Sequence, residues 1–254
     1  MTSPGTVALQ IDDEQSSSNK PYSRILTVDI GGSSIKLLVT GETEPRRGRS
    51  GKDLTPAKMV EVVQDLAKGW VYEAISIGYP GLVGNQGPSS EPGNLGAGWV
   101  GFDFATALGA PVRIINDAAM QALGSYEGGR MLFLGLGTGL GSALITEGLI
   151  LNLELGHLPY KRGRTLGDAL GREGMKRLGK DAWRRAVMDS AHALMKAFLA
   201  DSVVLGGGNA KKLKELPPGV RLGHNLTAFR GGFRLWNVEE IQMNSTDELN
   251  ALKS

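Results

Sequence analysis

The first residues that could carry chemistry are an acid and a glycine-rich turn near the start of the chain. Asp29 ends an apolar run, and small, hydroxylated or cationic residues follow it: Gly31, Gly32, Ser33, Ser34 and Lys36. Glycine lets backbone N–H groups face a ligand, and such a turn with hydroxyls and a lysine can bind phosphate. Asp29 could hold a hydrated cation beside that phosphate. An ordinary hairpin with a Gly-Gly turn is the alternative.

A second glycine-rich turn favours the phosphate interpretation. Gly137, Thr138 and Gly139 again lie between two apolar segments, roughly a hundred residues after the first turn. Two such hairpins indicate a duplicated domain with a nucleotide-sized cleft between its halves.

Asn116 and Asp117 lie between a predicted strand and a predicted helix. An aspartate at this position can accept a proton from a substrate hydroxyl. Asn or Asp before a helix is also the favoured N-cap. The two phosphate-type hairpins favour the catalytic interpretation.

A third group of residues could bind a polyol. Glu154 and His157 flank a glycine and could hydrogen-bond adjacent hydroxyls, and the Asn94 amide could do the same. Trp99 could cover the apolar face of a sugar or pack in the core. Zinc is not expected, because the histidines are scattered and the chain has no cysteine.

A glycine run and a set of basic residues could contact a phosphoryl donor. The run Gly206, Gly207 and Gly208 follows a predicted buried strand and could admit a nucleotide base, or could simply turn the chain. Neither this run nor the stretch Gly135–Gly141 satisfies the dinucleotide-binding spacing G-x-G-x-x-G, and the chain has no P-loop and no nucleophile elbow. A set of basic residues could form a track for a polyanion, or could simply be exposed to solvent. These residues are Lys161, Arg162, Arg164, Arg172, Lys176, Arg177, Lys180, Arg184, Arg185, Lys211, Lys212 and Lys214.

Composition excludes several classes of protein. The chain has 254 residues, with 28 Lys and Arg against 26 Asp and Glu, which does not indicate nucleic-acid binding. The absence of cysteine excludes disulfides and thiolate chemistry. No apolar run is long enough for a membrane span, and the N-terminus does not resemble a signal peptide. A cytoplasmic protein with no membrane partner is expected.

The elements that must position these residues alternate between strands and helices, which predicts α/β layers. Strands are predicted at 25–30, 35–39, 72–78, 111–115 and 202–205, and helices at 55–68, 103–108, 118–126, 166–178, 182–199 and 211–214. Segment 147–159 is predicted as a loop. The predicted organisation is a disordered tail at 1–22, an N-terminal lobe at 23–116, a C-terminal lobe at 117–236, and a tail or packed terminal segment at 237–254.

Taken together, the motifs at 29–36, 78–81, 116–118, 137–143 and 154–158 resemble the ROK sugar kinases, and within them the bacterial polyphosphate glucokinases. The resemblance covers roughly residues 24–215. It implies an actin-like ATPase (ribonuclease H-like) fold of two duplicated lobes around a central cleft. It also implies phosphorylation of the 6-hydroxyl of glucose, with polyphosphate or ATP as donor, Mg²⁺ as cofactor, no zinc, and a homodimer.

The same resemblance implies roles for individual residues. Asp117 matches the catalytic base, and Asp29 belongs with the phosphate and magnesium loops that contain Gly31, Gly32, Lys36, Thr138 and Gly139. The sugar-binding positions are Asn94, Asn116, Glu154 and His157, with Gly81 in the adjoining motif.

Two departures leave alternatives. The cysteine-rich zinc motif of many ROK proteins is absent, and the C-terminal Ala-Gly-rich helix of polyphosphate glucokinases is not recognisable in segment 222–232. A catalytically silent sugar binder and a kinase for another hexose are therefore the alternatives. A ROK-type repressor is disfavoured, because residues 1–22 are too short and polar for a helix-turn-helix.

Overall fold

The computed structural model describes residues 8–9, 22–224 and 226–236. The two segments predicted as terminal tails, 1–22 and 237–254, lie outside the described residues except for residues 8–9 and 22. Within the described part of the chain, no helix has the length and apolar character needed to cross a membrane.

The strands form two large sheets and one small hairpin. They are β1 (Ala8–Leu9), β2 (Ile25–Ile30), β3 (Ser34–Val39), β4 (Arg46–Arg49), β5 (Ala74–Tyr79), β6 (Val83–Gly84), β7 (Gly87–Pro88), β8 (Val112–Asn116), β9 (Met131–Leu136), β10 (Leu140–Thr146), β11 (Leu149–Leu153), β12 (Ser202–Gly206) and β13 (Val220–Leu222). The helices are α1 (Pro56–Leu66), α2 (Phe104–Leu108), α3 (Asp117–Ser125), α4 (Leu166–Leu170), α5 (Arg172–Leu178), α6 (Lys180–Ala197) and α7 (Thr227–Arg234).

The two large sheets repeat one topology. The first has the order β4-β3-β2-β5-β8, and the second has the order β1-β11-β10-β9-β12-β13. In each, two antiparallel pairs are followed by two parallel pairs: β4-β3-β2 then β5 and β8, and β11-β10-β9 then β12 and β13. Apart from the additional strand β1, the second sheet therefore has the same strand order and directions as the first. This agrees with the duplication that the paired glycine turns predicted.

Each sheet has its own hydrophobic core, and α3 joins them. One core packs α1 and α2 against the first sheet, and another packs α4 and α6 against the second. A third cluster holds the buried side of α3 against the second sheet, with Met120 and Phe133 among its members. The helix that begins at Asp117 is thus fixed by packing along its length.

Local sequence signals account for several helix boundaries. Thr55 caps α1 by accepting a hydrogen bond from Lys58 N at 3.4 Å, and Pro56 occupies the first turn. Thr165 and Asp168 form a reciprocal capping box at the start of α4.

Four element predictions were wrong. Segment 147–159 contains strand β11, and the single helix predicted over 166–178 is two helices broken at Gly171. Gly171 lies so close to the second glycine turn that an ideal Cβ would stand 2.4 Å from Thr138 O, and the chain bends there. The basic helix predicted at 211–214 is a single 3₁₀ turn, Ala210–Lys212.

The fourth error concerns segment 222–232, where the helix α7 forms. Its glycines allow backbone contact with α3: an ideal Cβ on Gly231 would lie 1.8 Å from Met120 O, and one on Gly124 would lie 1.7 Å from Thr227 O. α7 also reaches the first sheet, because Ser76 Oγ donates to Gly232 O at 2.5 Å. A glycine-containing C-terminal helix is therefore present.

Candidate active site

The candidate site lies where three parallel strands of the first sheet end. Asp29 of β2 is in register with Gly78 of β5, and Tyr79 is in register with Asn116 of β8. The carboxyl ends of β2, β5 and β8 therefore meet at one edge, which is where ligands bind in open α/β sheets. An ideal Cβ on Gly78 would stand 3.6 Å from the Asp117 Cα, so the two acidic positions lie close together.

The second sheet approaches the same place through β10. An ideal Cβ on Gly141 would lie 2.9 Å from the Ala118 Cβ. The first turn of α3 is thus next to the start of β10, and the glycine permits this approach. Asp117 lies between Asp29 on one sheet and the second glycine hairpin on the other.

Asn116 is the N-cap of α3. Its Oδ1 accepts hydrogen bonds from Ala118 N at 2.9 Å and Ala119 N at 3.2 Å, and its Nδ2 donates to Gly81 O at 3.1 Å. Both ends of the amide therefore have protein partners, and the cap ties α3 to the loop after β5. The predicted contact of Asn116 with a sugar stays a prediction.

Asp117 has an unusual electrostatic environment. Its Oδ1 accepts from Ala118 N at 2.8 Å, and the residue is partly exposed. Burial raises the pKa of the Asp117 carboxyl to about 7, with the negative charge of Asp29 as the next cause and that of Glu154 as a smaller one. The charges of Asp29 and Glu154 therefore both act on the Asp117 carboxyl.

Glu154 and His157 lie on the side of the second sheet. Their side chains approach to 3.6 Å and are 58% and 83% exposed respectively, so both are open to a ligand. Ser142 fixes the backbone on each side of Glu154, because its Oγ donates to Leu153 O at 2.7 Å and accepts from Leu155 N at 3.1 Å. Sequence reasoning missed this role of Ser142.

The first glycine turn is closed by a hydrogen bond from Gly31 N to Ser34 O at 3.0 Å. Beside it, Lys36 Nζ pairs with Asp29 Oδ2 at 3.1 Å. The Asn94 side chain covers the turn, since an ideal Cβ on Gly32 would lie 2.4 Å from Asn94 Nδ2. Asn94 and the turn therefore belong to one site. Ser33 lies at the exposed end of the turn.

The second glycine turn is held by its neighbours. Gly137 N donates to Gly139 O at 3.1 Å, and Arg172 N donates to Gly137 O at 3.1 Å and to Thr138 O at 3.2 Å. Asn209 Nδ2 also donates to Gly137 O, at 3.0 Å. Asn209 is a buried support that sequence reasoning missed.

The run Gly206–Gly208 lies beside this turn. Gly206 is in register with Gly135, and Gly207 has a φ of 80° with Leu136 backbone atoms within 3 Å of an ideal Cβ. A side chain at Gly207 would therefore be strained and would clash. Gly208 faces open space.

Trp99 does not have the predicted sugar-stacking geometry. Its side chain is fully buried and packs against Tyr79 and Phe104, with ring centroids 5.4 Å and 6.1 Å away. The core alternative for this residue is confirmed.

A magnesium ion fits the donor set at Asp29. Mg²⁺ is commonly bound through one or two carboxylates, with waters and substrate phosphates completing its shell. Asp29 offers a largely buried carboxylate, with 13% of the side chain exposed, next to the first glycine turn. No group of three or more His, Cys, Asp or Glu residues suited to a metal occurs in residues 22–224 and 226–236. A magnesium ion bound by one carboxylate, water and substrate phosphates does not need such a group of residues.

Residues 25–167, which contain both glycine turns and all three carboxylates, match the model of the ROK family. The chain belongs to the ROK family. The match covers more than half of the chain, in agreement with the resemblance derived from its motifs.

Three relatives illustrate the similarity. A polyphosphate glucokinase of Mycobacterium tuberculosis is 27% identical over 221 residues, which cover 75% of this chain and 80% of that protein. An inorganic polyphosphate/ATP-glucomannokinase from Arthrobacter has a TM-score of 0.72 at 24% identity, covering 85% of this chain and 99% of that one. A ROK glucokinase from Streptomyces griseus, in complex with glucose and AMPPNP, has a TM-score of 0.61 at 17% identity, covering 84% and 99%. The chain therefore has the actin-like ATPase fold of ROK sugar kinases.

Proposed function

We propose that the protein is a sugar kinase that transfers a phosphoryl group from polyphosphate or ATP to the 6-hydroxyl of glucose. Membership of the ROK family and the polyphosphate glucokinase relatives support a phosphotransferase. The observation that carries the proposal is the Asp117 carboxyl at the start of α3, next to Gly78 of the first sheet, with a pKa raised to about 7 by burial and by the charges of Asp29 and Glu154.

Asp117 has the properties of a general base. A base works best when its pKa is near the working pH, and such assistance contributes about 10²–10⁴-fold to rate. In the proposed reaction the sugar hydroxyl oxygen forms a bond to phosphorus and the bond to the donor's leaving oxygen breaks. The hydroxyl proton passes to Asp117 Oδ.

The remaining residues bind and orient the reactants. Glu154 and His157 are open to the cleft and offer hydrogen bonds to sugar hydroxyls, and Asn94 offers an amide beside the first turn. The two glycine turns present backbone N–H groups to the donor phosphates. Mg²⁺, when bound at Asp29, would supply positive charge to the transferred phosphoryl group.

The donor is proposed from the relatives and the charge distribution. The Arthrobacter relative is described as using polyphosphate and ATP. In this chain Arg172 N, at the start of α5, donates to the second turn, and Arg177 follows on an exposed position; Lys176 is paired with Glu173 at 2.7 Å. The charges of Arg172 and Arg177 favour a polyanionic donor.

A coupled assay tests the proposal. Glucose is supplied with polyphosphate or with ATP in the presence of Mg²⁺, and glucose 6-phosphate formation is followed. Wild type should turn over with at least one donor, and Asp117→Asn should lower kcat by at least about 10² while sugar affinity stays within a few-fold. Near-normal turnover of Asp117→Asn would refute its role as base.

Two alternatives have their own outcomes in this assay. The glucomannokinase relative favours testing mannose, and an amino sugar completes the panel. A higher kcat/KM for either would make the protein a kinase for another hexose. Calorimetric glucose binding without product from any donor would indicate a silent sugar binder. Light scattering on the purified protein tests the proposed homodimer.

A further inference from the structure

We propose that Glu91 is a positioning residue that fixes the loop carrying Asn94. Its Oε2 accepts hydrogen bonds from Gly98 N at 3.0 Å and Trp99 N at 3.2 Å, and its Oε1 accepts from Val100 N at 3.2 Å. One carboxylate thus closes loop 91–100 at both ends. The inference rests on the proposed function, because it takes Asn94 as a sugar-binding residue.

The loop is anchored on both sides of Asn94. Before it, Tyr79 Oη donates to Ser90 O at 2.8 Å and Pro92 is buried. After it, Leu95 and Trp99 are buried, Trp99 Nε1 donates to Gly96 O at 2.7 Å, and Gly96 N donates to Leu54 O at 3.0 Å. Asn94 is exposed between these anchors, and Glu91 joins the two sides to each other.

A carboxylate suits this task better than an amide. An ionised Glu is acceptor-only and offers two oxygens, which match three convergent N–H donors. Charge-assisted hydrogen bonds of this kind are shorter and stronger than neutral ones. A Gln at this position would keep one acceptor oxygen and turn an NH₂ group toward a backbone donor.

The three hydrogen bonds accepted by Glu91, here called the Glu91 clamp, act on the site through Asn94. The Asn94 amide covers Gly32, so the position of loop 91–100 sets the distance between Asn94 and the first glycine turn. A small displacement of a binding group can cost a large factor in rate or affinity. Loosening the loop should weaken sugar binding first, because Glu91 contacts neither glycine turn in the described residues.

The chain offers a matched control for a Glu91→Gln test. Glu73 Oε2 also accepts from two backbone N–H groups, Ser23 N at 2.9 Å and Arg24 N at 3.1 Å. This contact lies on a part of the surface that loop 91–100 does not reach. Glu91→Gln and Glu73→Gln therefore make the same chemical change to the same kind of contact. We expect Glu91→Gln to raise the sugar KM and calorimetric Kd about tenfold, with donor KM and kcat changed far less. Glu73→Gln should change each constant by less than about twofold.

Amide hydrogen exchange separates this inference from the proposed function. Exchange at Gly98, Trp99 and Val100 should accelerate in Glu91→Gln and not in Glu73→Gln, whatever the substrate is. Unchanged exchange, or equal rises in sugar and donor KM, would overturn the clamp. If exchange accelerates but wild type neither binds nor phosphorylates a hexose, the proposed function fails and the clamp stands.

Discussion

Replacing Asp117 with Asn should make the protein more stable at neutral and alkaline pH while lowering kcat by at least about 10². Burial and the charge of Asp29 raise the pKa of Asp117 from 3.8 to about 7, so the folded protein holds this proton more tightly than the unfolded chain. The ionised carboxylate therefore costs stability. The cost is absent below pH 3.8, grows as the pH rises toward 7, and is constant above it.

The size of the effect follows from the pKa shift. Each pKa unit corresponds to about 1.4 kcal/mol, so a shift of about three units gives an upper limit of about 4 kcal/mol. The Asp117 side chain is partly exposed, which screens the charge and reduces this figure. Loss of a negative charge from the first turn of α3 also costs about 0.3–1 kcal/mol. We expect a net gain of about 1–2 kcal/mol at pH 8.

The assay compares wild type and Asp117→Asn by thermal unfolding without Mg²⁺ or donor. About 1–2 kcal/mol corresponds to a rise in Tm of roughly 2–8 °C at pH 8 for a chain of this size. The two proteins should melt within about 1 °C of each other near pH 4. In the background of Asp29→Asn the gain should shrink, because the charge of Asp29 is a cause of the shift.

Two results would contradict a destabilising charge on Asp117. A gain that is the same at pH 4 and pH 8 would show that the carboxylate's ionisation is not responsible. A loss of stability at pH 8 would show that the Asp117 charge is stabilising. The same pKa predicts that, in wild type, kcat/KM for the sugar decreases as the pH is lowered below about 7, because Asp117 becomes protonated.

Three further changes test the supports of the site. Asn209→Ala removes the hydrogen bond to Gly137 O and should raise donor KM about fivefold with little effect on sugar KM, measured by steady-state kinetics. Gly231→Ala should destabilise by about 3 kcal/mol in urea unfolding, because its Cβ would meet Met120 O; a stabilisation, as expected for Ala in an open helix, would contradict this packing. Thr165→Ala should cost about 1 kcal/mol through the lost capping box, and an unchanged Tm would contradict it.

The sequence predicted the duplication because its signals are local, whereas the roles assigned to the site residues stay predictions. A glycine turn between two apolar runs is a hairpin in either half, and Asn116 before a helix is a cap wherever that helix packs. The carboxyl ends of parallel strands then bring Asp29 and Asp117 together by topology alone. These features required no knowledge of long-range contacts.

Long-range contacts explain what the sequence could not predict. Gly231 and Gly232 disfavour a helix by propensity, yet α7 forms because only glycine permits its approach to α3 and to Thr27. Asn209 supports a turn that lies far from it in sequence, and no local pattern marks it. Gly171 breaks a well-spaced helical pattern because the second turn occupies the space that a side chain would need.

The contacts of α7 also indicate which part of the site is fixed. α7 packs on α3 through backbone atoms and is hydrogen-bonded to the first sheet through Thr27 Oγ1 to Phe229 O at 3.4 Å and through Ser76. These contacts tie the middle and C-terminal half of α3 to the sheet that carries Asp29, and Asp117 itself directly follows Asn116 of β8 in that sheet. Because α3 also packs against the second sheet, Asp117 is fixed relative to both sheets. The side chains of Glu154 and His157 are exposed, whereas that of Asp29 is largely buried, so a bound sugar would cover more of the surface around Glu154 than around Asp29. Substrate binding should therefore protect the backbone around Glu154 from hydrogen exchange more than that around Asp29.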